Sequence, residues 1–129
     1  MSIHLNEKMI AGKMIRTNNQ QIEDIIALWN IVPAMNLSGE LYAVYTNYES
    51  NFKGDYDLLI GSEQADYSQK VVINSGEYVA IKVDGQSPEA VGQAWQQIWQ
   101  DEGLEKRRTY QTDVEHYQKD GTIMIYLSV

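Results

Sequence analysis

Residues 77–102, EYVAIKVDGQSPEAVGQAWQQIWQDE, read as a strand, a turn and a capped helix, and the same unit occurs earlier in the chain. Residues 77–83 are rich in strand-forming side chains, and Asp84-Gly85 closes them. Ser87 suits an N-cap, Pro88 the first helical position, and Glu89 the first turn, where the helix dipole favours an acid. The helix is expected to run to about Glu102 and to stop at Gly103. Its anchors Val91, Ala94, Trp95 and Ile98 keep the i, i+3, i+4, i+7 spacing of one helical face. Ile22, Ile25, Ile26 and Trp29 keep the same spacing 69 residues earlier, Ile22 matching Val91. Ala11 with Ala80, Lys13 with Lys82 and Tyr48 with Tyr117 extend the match. The pattern predicts a duplicated single domain over 1–129, with repeat units at about 9–63 and 69–129. The seam between two such units is a concave place, which ligands prefer.

Outward from the helices the chain reads as strands. After a ragged start over 1–8, residues 9–16 (MIAGKMIR) predict a strand. Asn18 is placed to cap the first helix, with Gln21 at the capping-box position and an end near Trp29 or Asn30. A connector over 31–40 holds Pro33 and Gly39, and 41–48 (LYAVYTNY) reads as a strand. A turn over 49–54 leads to a strand over 55–62 (DYDLLIGS). An extended segment over 67–73 and a turn over 74–76 come next. Beyond the second helix lie a strand over 108–118, a hairpin turn at 119–121 and a closing strand over 122–129. Helices separated by strand pairs predict an α+β fold with both helices packed on a sheet.

Composition narrows the function. A chain of 129 residues with no cysteine has no disulfide, no thiol chemistry and no cysteine-ligated metal. It shows no run of eighteen apolar residues and no charged-then-apolar leader, so neither a membrane span nor a signal peptide is expected, and a cytoplasmic location fits. A net charge of −8 repels phosphates, which argues against direct nucleic-acid binding. It suits cationic partners, and it also serves plain solubility. Nine tyrosines and three tryptophans stand against one phenylalanine, Phe52. Tyrosine and tryptophan keep a polar handle, which weights the surface toward binding.

Glu115 is the sharpest candidate, because glutamate is disfavoured inside strands. By alternation it shares a face with Asp113 and Tyr117. It is either solvent-facing or held in a cleft. In an aromatic cleft it would balance a cation whose flat body stacks on tyrosine and tryptophan. Trp95 and Trp99, one helical turn apart, are either a pocket wall or core packing. Alternation puts Tyr42 and Tyr48 on one side of their strand and Tyr45 on the other. Tyr110 and Tyr126 are further pocket candidates, Tyr126 on the strand that the hairpin brings beside Glu115. His4 and His116 lack ligand spacing, and no phosphate-binding glycine motif or nucleophile elbow occurs, so neither metal nor cofactor is expected. Glu115 with a nearby tyrosine could also serve as a general acid–base pair.

Three runs carry a family resemblance: YAVYTNYESNFKGDYDLLIGSE (42–63), GEYVAIKVDG with AWQQIWQ (76–85 and 94–100), and VEHYQKDGTIMIYLSV (114–129). In order and spacing the chain resembles, over about 9–129, a GyrI-like small-molecule-binding domain, the effector-binding module of AraC- and MerR-type multidrug regulators. The resemblance implies two strand–helix–strand–strand units related by a pseudo-twofold axis, with an aromatic-lined cleft between them. It also implies one acidic residue for lipophilic cations, which maps onto Glu115, with Tyr117 beside it and Tyr126 on the closing strand. Trp95, Trp99, Tyr42 and Tyr45 map more loosely. Ser128 stands where the family usually has proline. In the regulators a helix-turn-helix domain precedes this module, whereas this sequence begins and ends with it, so a stand-alone form is expected. A homodimer or a separate DNA-binding partner protein stays open.

Three functions follow, in this order. The first is binding of cationic amphipathic aromatic compounds, with Glu115 selecting charge. The second is hydrolysis of strained electrophiles by a Glu115–tyrosine pair. The third is a protein-interaction role such as gyrase inhibition, in which an acidic surface meets a basic partner.

Overall fold

The computed structural model describes residues 2–129. The strands are β1 Ser2–Leu5, β2 Lys8–Thr17, β3 Leu41–Thr46, β4 Tyr56–Ser62, β5 Gln69–Ile73, β6 Gly76–Lys82, β7 Thr112–Tyr117 and β8 Ile123–Ser128. The helices are α1 Ile22–Ile31, α2 Pro88–Gln100 and α3 Glu102–Arg107, with a 3-10 turn, Val32–Met35, behind α1. All eight strands form one antiparallel sheet in the order β1-β6-β8-β7-β3-β4-β2-β5. The fold is α+β, as the alternation of helices and strand pairs predicts. Among the described residues no helix is long and apolar enough to cross a membrane.

Strand order places the two helix-bearing segments side by side. The strands flanking α1 pair as β2-β4-β3, and those flanking α2 and α3 pair as β6-β8-β7. β3 and β7 join them at the centre, with Ala43 opposite Glu115 and Tyr45 opposite Asp113. Both carboxylates therefore stand on the central strand pair.

The sheet buries both its faces by curling. Leu28 of α1 packs with Ala43, Tyr56, Leu58 and Ile60 of the sheet, and Trp95, Ile98 and Leu104 of α2 and α3 pack with Ile125 and Leu127. The opposite face closes over Ile10, Tyr42, Val44, Leu59, Ile73, Tyr78 and Val114. Gly12 and Gly61 sit opposite each other on β2 and β4. A Cβ on Gly12 would meet the Ile60 carbonyl oxygen at 2.0 Å, and one on Gly61 the Ala11 oxygen at 1.9 Å. Only bare backbone allows this approach.

Several local expectations change. The ragged start holds β1, which pairs with β6 from Ser2↔Val79 to Leu5↔Gly76, a partner so distant that no local pattern reveals it. Asn18 does not cap α1. Its side chain accepts from the Gln20 N–H (2.9 Å), shaping the turn, and Gln21 is an N-cap with no side-chain hydrogen bond. Ser87 does cap α2, accepting from the Ala90 N–H at 3.1 Å. That helix ends at Gln100, because Asp101 turns extended and its carboxylate accepts from the Leu104 N–H (3.0 Å). Asp101 thus starts α3, with Gly103 inside it rather than at a stop. Residues 108–111 form a loop before β7, in which Tyr110 has φ 55°. β3 ends at Thr46 because Asn47 adopts φ 54°.

Candidate functional site

A cavity of about 510 Å³ opens between α1 and α2, floored by the central strands. Ile22, Ile25, Ile26 and Trp29 line it from α1, and Val91, Trp95 and Trp99 from α2. Tyr45, Glu115 and Tyr117 form the floor, and Phe52, from the loop between β3 and β4, stacks on Trp99 with ring centroids 5.7 Å apart. All three tryptophans of the chain line this one cavity. Glu115 is its only acidic lining residue and Arg108 its only basic one, among the described residues.

Glu115 is 3% exposed, which excludes the solvent-facing alternative. The Tyr45 hydroxyl (2.6 Å) and the Trp95 indole N–H (2.7 Å) donate to its Oε2, and the Tyr117 hydroxyl (2.6 Å) donates to Oε1. A carboxylate offers about four lone-pair sites, so three are filled and one on Oε1 is free. All three donors are neutral. Burial, and then the neighbouring Glu115 charge, raise the Tyr45 and Tyr117 pKa values well above the ordinary phenol. Both phenols therefore stay protonated donors, each also wedged edge-on against tryptophan: Tyr45 on Trp95 (5.4 Å) and Tyr117 on Trp29 (5.3 Å).

Asp113 lies two residues back on the same face of β7, with a cation of its own. Arg108 Nη2 donates to Asp113 Oδ2 at 2.6 Å, and the Tyr48 hydroxyl donates to the same oxygen at 2.6 Å. The two charged side chains are 1% and 0% exposed. Burial pushes the Asp113 carboxyl upward against the pull of Arg108 and Tyr48. Burial also opposes the Arg108 charge, but Asp113, Tyr110 and Tyr48 raise its pKa in net. The guanidinium further lies over the Tyr110 ring, 4.2 Å from its centroid. Arg108 and Asp113 cancel, so the floor keeps one uncompensated negative charge, that of Glu115.

Of the residues singled out in the sequence, Glu115, Tyr117, Trp95, Trp99 and Tyr45 line the cavity. Three others do not. Tyr42 is buried in the opposite face, stacked on His116 at 4.3 Å. Tyr126 pairs with Val114, while Ile125 pairs with Glu115, so register turns its side chain away from the cavity. Tyr110 stands behind the lining, its hydroxyl on Glu105 and its ring under Arg108. Tyr48 corrects the alternation argument: the left-handed Asn47 breaks the period, and Tyr48 joins Tyr45 on the cavity side. The sequence reading missed Phe52, Tyr56 and Arg108, and took Ile22 and Ile26 for packed anchors. These two isoleucines are 54% and 51% exposed and form the cavity's outer wall, while Leu28 is the residue by which α1 is buried. Helical spacing identifies an apolar face without saying what it faces. Trp95, 8% exposed, is both core and wall.

Comparison with known proteins agrees with this fold. A family model described as an integron-associated effector binding protein matches residues 3–129. No curated protein matches the sequence. Among solved structures, an integron cassette protein from the mobile metagenome of Vibrio cholerae shares the fold at a TM-score of 0.85 and 28% identity, over 100% of this chain and 94% of that one. SAV2435, solved bound to tetraphenylphosphonium, aligns at 0.74 and 15% identity, over 98% and 91% of the two chains. A Staphylococcus aureus MU50 protein proposed to act in bacterial transcription regulation aligns at 0.72 and 17%, over 98% and 95%. For the last two, the likeness is one of fold.

Proposed function

The chain belongs to the integron-associated effector-binding proteins and has the fold of a GyrI-like effector-binding domain, which takes a small-molecule ligand; from that premise we propose that its effectors are flat or globular aromatic cations, bound between α1 and α2 with Glu115 as their counter-charge. One observation carries this reading: a buried carboxylate in an apolar, aromatic cavity, held only by neutral donors. A buried charge without a partner is costly. The three hydrogen bonds hold the anion in place, and an incoming cation relieves the remaining cost. Tryptophan and tyrosine faces around it add cation–π attraction of about 0.5–2 kcal/mol each. The aromatic cation tetraphenylphosphonium seen on SAV2435 is chemistry of this kind. A homodimer, or a separate DNA-binding partner protein, would couple such binding to regulation.

The three donors already held by Glu115 weigh against the hydrolytic reading. A general base needs a free lone pair directed at its proton, and three of about four are taken here. Its tyrosines are donors with raised pKa values, poor at giving up protons.

The test uses quenching of the three cavity tryptophans. Tetraphenylphosphonium and 9-aminoacridine are titrated against neutral acridone, with the parent protein and with Glu115→Gln. Saturable binding of both cations, weakened by the substitution while acridone is unaffected, is expected. Equal loss for cation and neutral compound would remove Glu115 from the role.

A further inference from the structure

Four large apolar side chains of the described residues are exposed, Met9, Ile22, Ile26 and Ile31, and of these Ile22 and Ile26 line the cavity. They stand one helical turn apart on one face of α1. Both are more exposed than Ile25 and Trp29, the other lining residues of that wall. A single apolar residue on a surface needs no explanation, but two on one face at a ligand cavity belong to its binding surface. A protein partner does not fit them: a stable interface buries about 800 Å² on each side, and two half-exposed isoleucines supply a small part of that.

The wall on α2 carries a second departure. Gly92 stands inside that helix, where glycine is weaker than nearly any other residue. Neither a left-handed backbone nor a close approach calls for it, since a Cβ built there meets no atom within 4 Å. Gly92 lines the cavity, so what its missing side chain provides is room. The aromatic rings are gathered around the charge instead. Tyr45, Tyr117 and Trp95 hold Glu115, and Trp95 continues into a stack with Trp99 and Phe52 (6.4 and 5.7 Å between centroids). The cavity therefore has a charged aromatic part and an aliphatic part, the latter walled by isoleucine and bare backbone.

We infer that Ile22, Ile26 and the space at Gly92 form an aliphatic subsite of the cavity, which takes a saturated arm of the same aromatic cation that Glu115 holds. The inference rests on the cation-binding reading and deepens it: the effectors are cations that join a flat ring system to an alkyl branch. Isoleucine and bare glycine offer no ring face to stack on and no polar side chain to satisfy, so an alkyl chain suits them. Covering the two isoleucines removes apolar surface from water on both partners, which is worth about fourfold in affinity for each methylene buried. Glu115 selects the charge, and this subsite selects among cations by what hangs from the ring.

Three cations are compared on the unmodified protein: 9-aminoacridine, 9-(butylamino)acridine and 9-(2-methoxyethylamino)acridine, the last two with arms of equal length and unequal polarity. The butyl compound is expected to bind about tenfold more tightly than 9-aminoacridine, the scale of burying one or two methylenes. The methoxyethyl compound should fall well short of that gain. Two variants then locate the arm. Ile22→Ser with Ile26→Ser removes the apolar wall at exposed positions, and Gly92→Leu fills the space with a residue that helices favour. Cooperative melting shows which variants are folded, and one folded variant suffices. In each, the affinity ratio of butyl compound to 9-aminoacridine should fall to about twofold or less, most of the buried-methylene gain being lost. If 9-aminoacridine binds through Glu115 and the butyl arm adds nothing, or adds no more than the methoxyethyl arm, the subsite is overturned and the cation reading stands. The same holds if the tenfold ratio survives in either folded variant. If 9-aminoacridine does not bind, or binds equally after Glu115→Gln, the cation reading falls and takes this inference with it.

Discussion

Asp113 and Glu115 are neighbours on one face of one strand, both buried, and the protein treats them in opposite ways. Asp113 has a permanent cation, Arg108, locked against it at 2.6 Å. Glu115 has three neutral donors and, among the described residues, no cation bonded to it. The first arrangement is closed: its charge is balanced before any ligand arrives. The second is open: its hydrogen bonds orient the anion and leave its charge uncancelled. Two carboxylates at alternate positions of a strand look alike in sequence, and what separates them is whether the fold supplies the counter-ion. Asp113 belongs to the scaffold, and Glu115 is left for a partner.

Breaking the closed site should give the largest effect. Arg108→Met leaves Asp113 buried without its cation, and removing one member of a buried ion pair costs about 3–5 kcal/mol. Urea unfolding would show it as a large fall in midpoint. A change below about 1 kcal/mol would mean that Asp113 is not held by Arg108, and the contrast would fail.

The same operation at the open site should separate stability from binding. Glu115→Gln removes a charge the fold does not balance, so the lost hydrogen-bond strength and the relieved desolvation largely cancel. Stability should move by less than about 1 kcal/mol, while affinity for aromatic cations falls roughly ten- to hundredfold, the range for interactions with a charged partner. A large loss of stability would make Glu115 a second scaffold carboxylate.

How much of this was legible in the sequence follows from which physical rule was local. Alternation along one strand placed Asp113, Glu115 and Tyr117 on a common face, because a period of two needs no partner. The Ser87 cap was legible for the same reason. Tyr126 was misplaced by one step of cross-strand register, which only the folded sheet fixes. Tyr48 was misplaced because one left-handed residue, Asn47, resets the alternation, and asparagine tolerates that conformation without demanding it. Ile22 and Ile26 read as buried anchors, since an apolar stripe is the same signal whether it meets a sheet or a cavity. Arg108 was invisible as a site residue, because its partner is chosen by a loop and by Tyr110 beneath its guanidinium.

A finer comparison sets Tyr117→Phe against Tyr48→Phe, each deleting one phenol donor. Each should cost about 1 kcal/mol in stability. They should differ in what a ligand restores. Without Tyr117, Oε1 of Glu115 has no donor, and a cation bearing an N–H fills the place. The rise in melting temperature caused by 9-aminoacridine should then be larger than in the parent protein. Without Tyr48, Oδ2 of Asp113 still has Arg108, and the ligand-induced rise should match the parent's. Equal rises in both variants would show that the open lone pair of Glu115 is not where the ligand's proton goes.

The smallest expected effect is none at all, and it tests the neutrality of the donors. Burial and nearby carboxylates raise the Tyr45, Tyr48 and Tyr117 pKa values above the ordinary 10.0. The unfolded chain therefore loses these phenol protons before the folded one does. Above pH 10 the folded state binds more protons than the unfolded state, so stability falls as pH rises, by up to about 1.4 kcal/mol per pH unit for each tyrosine. Between pH 8 and 10 the three phenols stay protonated. Affinity for tetraphenylphosphonium, whose charge does not depend on pH, should thus be flat from pH 8 to 10. Were Tyr45 or Tyr117 to ionise in that window, a second negative charge would appear beside Glu115, and cation affinity would climb with pH. A flat profile means that Glu115 alone supplies the charge and its three neighbours only hold it.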